Sequence, residues 1–83
     1  LLKELPAFKT QIIRSFEDKD LEALEEHSHK LHGATCYCNV PDLKSAVQIL
    51  EQAARMREIK DMERKVGAVK HEIDLLVQSS QYG

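Results

Sequence analysis

Apolar residues fall along this chain in four stretches with helical spacing, and no stretch alternates apolar and polar positions as a half-buried strand would. The first stripe is Leu1, Leu5, Phe8, Ile12 and Phe16. It runs out in Glu17-Asp18-Lys19-Asp20, and Pro6 is compatible only with a first turn or a kink. Asp20 is placed to cap a second helix with Ala23 at the third position, and the inner stripe of that helix is Leu21, Leu24, Ser28, Leu31, Thr35 and Cys38. Asn39-Val40-Pro41 closes it. Leu43, Ala46, Val47, Leu50 and Ala54 face inward on a third helix, and Lys60-Asp61 marks a weaker break. Met62, Val66, Val69, Ile73 and Leu76 line a fourth, which frays through Ser79-Ser80-Gln81-Tyr82-Gly83. The expected helices span about 1–16, 20–38, 42–58 and 61–78.

Narrow stripes on helices of this length bury best against one another, and short connections make sequential neighbours antiparallel. The pattern therefore predicts an all-α fold, an antiparallel up-down four-helix bundle, in a single domain over 1–83. A dimerising hairpin of two long helices is the alternative, against which Pro41 and the Asp18 region both interrupt the chain. With 83 residues, a second domain has no room.

Charge and composition narrow the partners. Twelve Lys+Arg against 14 Asp+Glu leave a net charge of -2, without the basic excess that binding to nucleic acid uses. Apolar runs stop at two or three residues, far short of the roughly 20 of a membrane span, so no membrane contact by this domain is expected. Cys36 and Cys38, one residue apart, would close a tiny and strained disulfide loop, and they read as reduced thiols of a cytoplasmic protein. The chain starts at Leu1 and shows no signal-peptide pattern, which points to a domain cut from a longer chain. A monomer is expected in isolation.

The second helix departs from plain bundle design. His27, His29 and His32 crowd together and Gly33 sits in mid-helix, where it costs about 1 kcal/mol relative to Ala. At about 100° per residue, His29 points about 140° away from the centre of the apolar stripe and so faces solvent. Gly33 follows one turn later on the same outer face, where its missing side chain opens space beside the imidazole. A close approach of another helix is the plain alternative at Gly33, and it is the reading for Gly67. His32 lies between the outer face and the core edge. His27 falls on the opposite flank, half buried and without a task. Glu51, on the third helix, projects to the edge of the apolar stripe, near the seam with the second.

The run His29-Lys30-Leu31-His32-Gly33-Ala34, after Asp20-Leu21-Glu22-Ala23-Leu24, resembles the signature of histidine-containing phosphotransfer (HPt) domains. The resemblance continues through Val40-Pro41-Asp42-Leu43-Lys44 to Leu50-Glu51 and covers most of the chain. The wording His-Lys-Leu-His-Gly, with Tyr37 and Val40-Pro41 downstream, is most similar to the C-terminal HPt domains of BarA/GacS-type hybrid sensor kinases.

That resemblance implies a phosphorelay intermediate of two-component signalling. His29 would accept a phosphoryl group on Nε2 from a receiver-domain aspartate and pass it to another receiver or response regulator. Glu51 occupies the family position that accepts a hydrogen bond from Nδ1, fixing the tautomer and offsetting the charge that builds on the ring. Lys30, His32, Gly33 and Arg55 are the candidates for phosphoryl contact and access, although many family members carry Lys where this chain has His32. Helix projection adds Ile13, Ala34 and Tyr37 as receiver-docking residues, with Lys44 as a further cation. The chain has no Gly-rich phosphate loop, no paired acidic Mg²⁺ site and no room for an ATP-binding domain, so it cannot load itself from ATP. It reads as a phosphocarrier and not as an enzyme on its own, within a histidine kinase if embedded in one. No cofactor of its own is expected, and Mg²⁺ would be supplied by the receiver partner. The parent protein would place the domain in the cytoplasm, whether or not it is anchored in the inner membrane. Two rivals stand beside this reading: a small metal-binding module using His29, His32 and Cys36, with Cys38 turned to the core, and a purely structural helical interaction domain.

Overall fold

The computed structural model describes residues 3–80. Leu1 and the segment 81–83, which the sequence assigns to the head of the first stripe and to a frayed end, lie outside the described residues. Four helices follow one another: α1 (Leu5–Glu17), α2 (Leu21–Thr35), α3 (Pro41–Arg55) and α4 (Met62–Ser80). Each packs on its neighbours in sequence and α4 closes back on α1, while the Cα atoms of the diagonal pairs α1/α3 and α2/α4 stay more than 8 Å apart. With connections confined to 18–20, 36–40 and 56–61, this ring is an up-down four-helix bundle.

The core is the set of stripes that the spacing predicts. Leu5 and Ile12 from α1, Leu24 and Leu31 from α2, Leu43, Val47 and Leu50 from α3, and Met62, Val69 and Ile73 from α4 are all within 2% of full burial. Phe8, Phe16, Leu21, Ala46 and Leu76 pack half-buried around it. Ser28 and Thr35 complete the inner stripe of α2, and the Thr35 hydroxyl donates to the His32 carbonyl at 2.6 Å. A short ion pair, Lys9 Nζ to Asp74 Oδ1 at 2.7 Å, ties α1 to α4.

Local chemistry decides where the helices start and stop. The Asp20 side chain accepts from the Ala23 amide at 3.1 Å and opens α2 as expected. Pro6 lies in the first turn of α1 and Pro41 begins α3, where a missing N–H costs nothing. The ends differ from the sequence reading. Helix α2 stops at Thr35 and not at 38: Cys36, Tyr37 and Cys38 donate three residues back, tightening the chain into a turn, and Pro41 excludes helical geometry from Val40. Cys38 is therefore a half-buried turn residue and not part of the α2 stripe. Helix α3 stops at Arg55 and not at 58, because Arg57 takes a left-handed conformation (φ 56°). The Glu58 amide then bonds to the Ala53 carbonyl and the Arg57 amide to Ala54. Lys19 (φ 57°) ends α1 in the same way. Helix α1 starts at Leu5, and α4 continues to Ser80.

Candidate functional site

The interface between α2 and α3 is the most extensive in the bundle, and the polar residues at its outer edge form one connected cluster. His29 and His32 are one turn apart on the flank of α2 that meets α3, and Glu51 reaches up from α3 between them. His29 Nδ1 is 3.0 Å from Glu51 Oε2, and His32 Nδ1 is 2.9 Å from Glu51 Oε1. Arg55, one turn further along α3, donates from Nη2 to the same Oε2 at 2.6 Å, and its Nε lies 3.5 Å from Glu25 on α2.

An ionised carboxylate can only accept, so each imidazole must donate its Nδ1–H, and in the neutral ring Nε2 keeps a lone pair. The same hydrogen bond therefore orients both histidines, but their exposure differs: the His29 side chain is 73% exposed and that of His32 only 25%. Glu51 is buried, at 6% exposure, and not the stripe-edge residue that projection suggests. Helical projection gives an angle and not a depth, and here the two histidines and Arg55 cover the carboxylate. Burial alone would push its pKa up. The hydrogen bonds from His29 and His32, with the attraction of both rings, more than reverse this and hold it below the ordinary value. Glu51 is thus an anion kept in a buried place by three donors.

Gly33 stands exposed, one turn after His29, and a Cβ added there would meet nothing within 4 Å. No neighbouring helix requires the glycine, which removes the close-approach alternative and leaves open space beside the His29 face. Gly67 also has nothing within 4 Å, so the helix contact expected there is absent, and nothing in the structure explains that glycine.

The remaining sequence candidates are spread over the surface. Lys30 pairs with Glu26 at 3.2 Å, on the flank of α2 that shares a depression with Glu4 and with Phe8 and Gln11 of α1. Tyr37 is 92% exposed in the turn after α2, Lys44 is exposed on α3, and Ile13 and Ala34 are half-buried on α1 and α2. None of these four bonds to the cluster around Glu51. His27 is half-buried as expected, with its Nδ1 buried and unpartnered.

Sequence reasoning missed Glu25, which steadies Arg55, and the acidic rim of Glu22, Glu25 and Glu26 that shares an open depression with His29 and Arg55. The signal was present, since those residues precede His29 by seven, four and three positions and so share its face. Among the described residues no group of three or more His, Cys, Asp or Glu is arranged to hold a metal ion. The His29/His32/Cys36 alternative is not favoured, because those side chains are not gathered into such a group.

The family model for the Hpt domain matches residues 1–79. Among curated proteins, the chain is 47% identical over 51 residues to the sensor protein GacS of Pseudomonas syringae pv. syringae, an overlap of 61% of this chain and 6% of that protein. It is 40% identical over 60 residues to the sensor histidine kinase GacS of Pseudomonas protegens, covering 72% of this chain and 6% of the relative. The chain thus corresponds to a small fraction of the length of these curated relatives. No solved structure matches it.

Proposed function

The chain belongs to the Hpt-domain family, and from that premise we propose that it is a phosphorelay intermediate of two-component signalling, carrying a phosphoryl group on His29 between receiver domains. The observation that carries this reading is an exposed imidazole whose Nδ1 is held, at 3.0 Å, by a buried and ionised Glu51.

The chemistry follows from that geometry. Nε2 of His29 attacks the phosphorus of a receiver's aspartyl phosphate; the N–P bond forms as the P–O bond to the aspartate breaks, and the aspartate departs as a carboxylate. Nδ1 keeps its proton throughout, so the ring gains a positive charge, which the neighbouring Glu51 offsets. Onward transfer is the reverse, with an aspartate oxygen of the second receiver taking the phosphorus and the ring leaving neutral with its Nδ1–H in place. Arg55, with its guanidinium shared between Glu51 and Glu25, and Lys30 are the cations assigned to the phosphoryl oxygens. Gly33 leaves the approach open, and Ile13, Ala34, Tyr37 and Lys44 contribute to receiver docking. Mg²⁺ and the aspartate belong to the receiver in this reading, and the domain is a carrier that does not load itself from ATP. Among the described residues no helix is long and apolar enough to cross a membrane. In this reading the domain works in the cytoplasm, beside its receiver partners.

The test is incubation with a panel of receiver domains labelled as aspartyl phosphates, followed by detection of acid-labile, alkali-stable label. Label is expected on the parent protein and not on His29→Gln. A parent protein that takes label from no receiver and from no small phosphodonor overturns the reading.

A further inference from the structure

Glu51 offers two oxygens to three donors, and they are shared unevenly. Oε2 accepts from both His29 and Arg55, whereas Oε1 accepts from His32 alone. The Arg55 bond, at 2.6 Å, is shorter than that from His29, at 3.0 Å. A guanidinium prefers to take a carboxylate with two parallel N–H bonds, one to each oxygen. Arg55 stands at the i+4 position on the same helix as Glu51, within reach of such a fork, and Oε1 is the oxygen it does not touch. The His32 imidazole occupies that oxygen.

We infer that His32 is a positioning residue: by holding Oε1 it prevents Arg55 from drawing the Glu51 carboxylate into a two-bond fork, and so keeps Oε2 in place for the Nδ1–H of His29. The inference deepens the phosphotransfer reading, on which its kinetic consequence rests. It gives His32 a role other than direct contact with the phosphoryl group. Removing the His32 donor leaves Oε1 buried without a partner, and the Arg55 guanidinium, already bonded to Oε2, is a donor able to fill that vacancy. The carboxylate then turns away from His29. A free imidazole favours the tautomer with its proton on Nε2, so a released His29 would carry a proton on the attacking nitrogen. Most rings would then lack the Nε2 lone pair needed for attack.

The experiment reads the His29 tautomer directly, from long-range ¹H–¹⁵N spectra recorded near pH 8.5, about two units above the ordinary histidine pKa. Four proteins are compared: the parent, His32→Leu, His32→Asn and the double variant His32→Leu with Arg55→Gln. In Asn the side-chain amide nitrogen falls where Nδ1 of histidine lies, so His32→Asn keeps a donor at Oε1. Leu fills the space without one. The Nδ1–H form of His29 is expected in the parent and in His32→Asn, the Nε2–H form in His32→Leu, and a return to Nδ1–H in the double variant. Phosphotransfer to His32→Leu should slow on the order of tenfold, the low end of the effect that losing an orienting partner has at metal-binding histidines. His32→Ala replaces His32→Leu if the latter does not fold, with the same expectations. Retention of Nδ1–H without the His32 donor, equal loss in His32→Asn, or failure of the Arg55 change to restore the tautomer would each overturn the inference. The tautomer measurement needs no receiver. A parent protein that never accepts phosphoryl sinks the phosphotransfer reading alone, while an unmoved tautomer in a protein that does accept it sinks this inference alone.

Discussion

His29 and Glu51 form a hydrogen bond across a steep change of environment: the imidazole side chain is 73% exposed and the carboxylate side chain that holds it is 8% exposed. The ring proposed to carry the phosphoryl group is presented at the surface, while the carboxylate that holds it is fixed in the α2–α3 seam. Orientation is thus provided from beneath, and the outer face of the ring stays clear for a partner.

His32 presents the same Nδ1–H to the same carboxylate, so activation alone does not distinguish the two rings; access does. After transfer from a receiver, the label should map to His29 and to neither His32 nor His27. Digestion and mass spectrometry under alkaline conditions would decide this, and label retained in His29→Gln would overturn the assignment.

Removing the carboxylate should affect both rate and stability. Glu51→Gln keeps an acceptor but loses the charge, and transfer should slow without stopping. Glu51→Ala should be slower still. Because His32, unlike His29 and Arg55, is largely buried, Glu51→Ala should also destabilise the bundle, by about 1 kcal/mol, the low end of what a buried group left without a partner costs. Rapid mixing with a phosphorylated receiver, alongside thermal melts, would measure both effects. A parent rate in Glu51→Ala would reduce the residue to a structural one.

Acid should remove the Glu51 contribution. Its folded-state pKa lies below the ordinary value of 4.5, so ionised Glu51 stabilises the fold fully above that value. This contribution is lost as the pH falls through the lowered folded-state value. Melting of the parent and of Glu51→Gln, compared from about pH 6 down to about pH 3, should show the parent's advantage shrinking at the acid end. An advantage independent of pH would mean that the buried carboxylate is not ionised.

Gly33 has no packing reason to lack a side chain. Gly33→Ala should therefore stabilise α2, by up to about 1 kcal/mol, while Gly33→Gln should slow transfer by obstructing the approach to His29. If Gly33→Gln transfers at the parent rate, the space beside His29 has no bearing on access.

The legible and illegible parts of this molecule separate by mechanism. The Asp20 cap, the four stripes and the outward face of His29 depend on spacing along one helix, and the sequence displays spacing directly. The ends of α1 and α3 depend on left-handed Lys19 and Arg57, where no glycine signals the turn. The expected third helix consequently runs three residues too far. The depth of Glu51 is set by what covers it, namely side chains from two helices, which no single projection contains. The sharing of its two oxygens was hidden for the same reason. Position 32 projects to a boundary, and only the assembled seam shows that its ring reaches the carboxylate that also holds His29.

Helix α4 lies diagonal to α2, with no Cα of one within 8 Å of a Cα of the other, so it stands on the far side of the bundle from the helix that carries His29 and His32. His71 is exposed on that helix. The bundle therefore carries its own internal standard. In a single nitrogen-15 spectrum, the signal of His71 reports how an imidazole of this protein behaves away from Glu51, and any shift confined to His29 and His32 can be referred to it without a second sample.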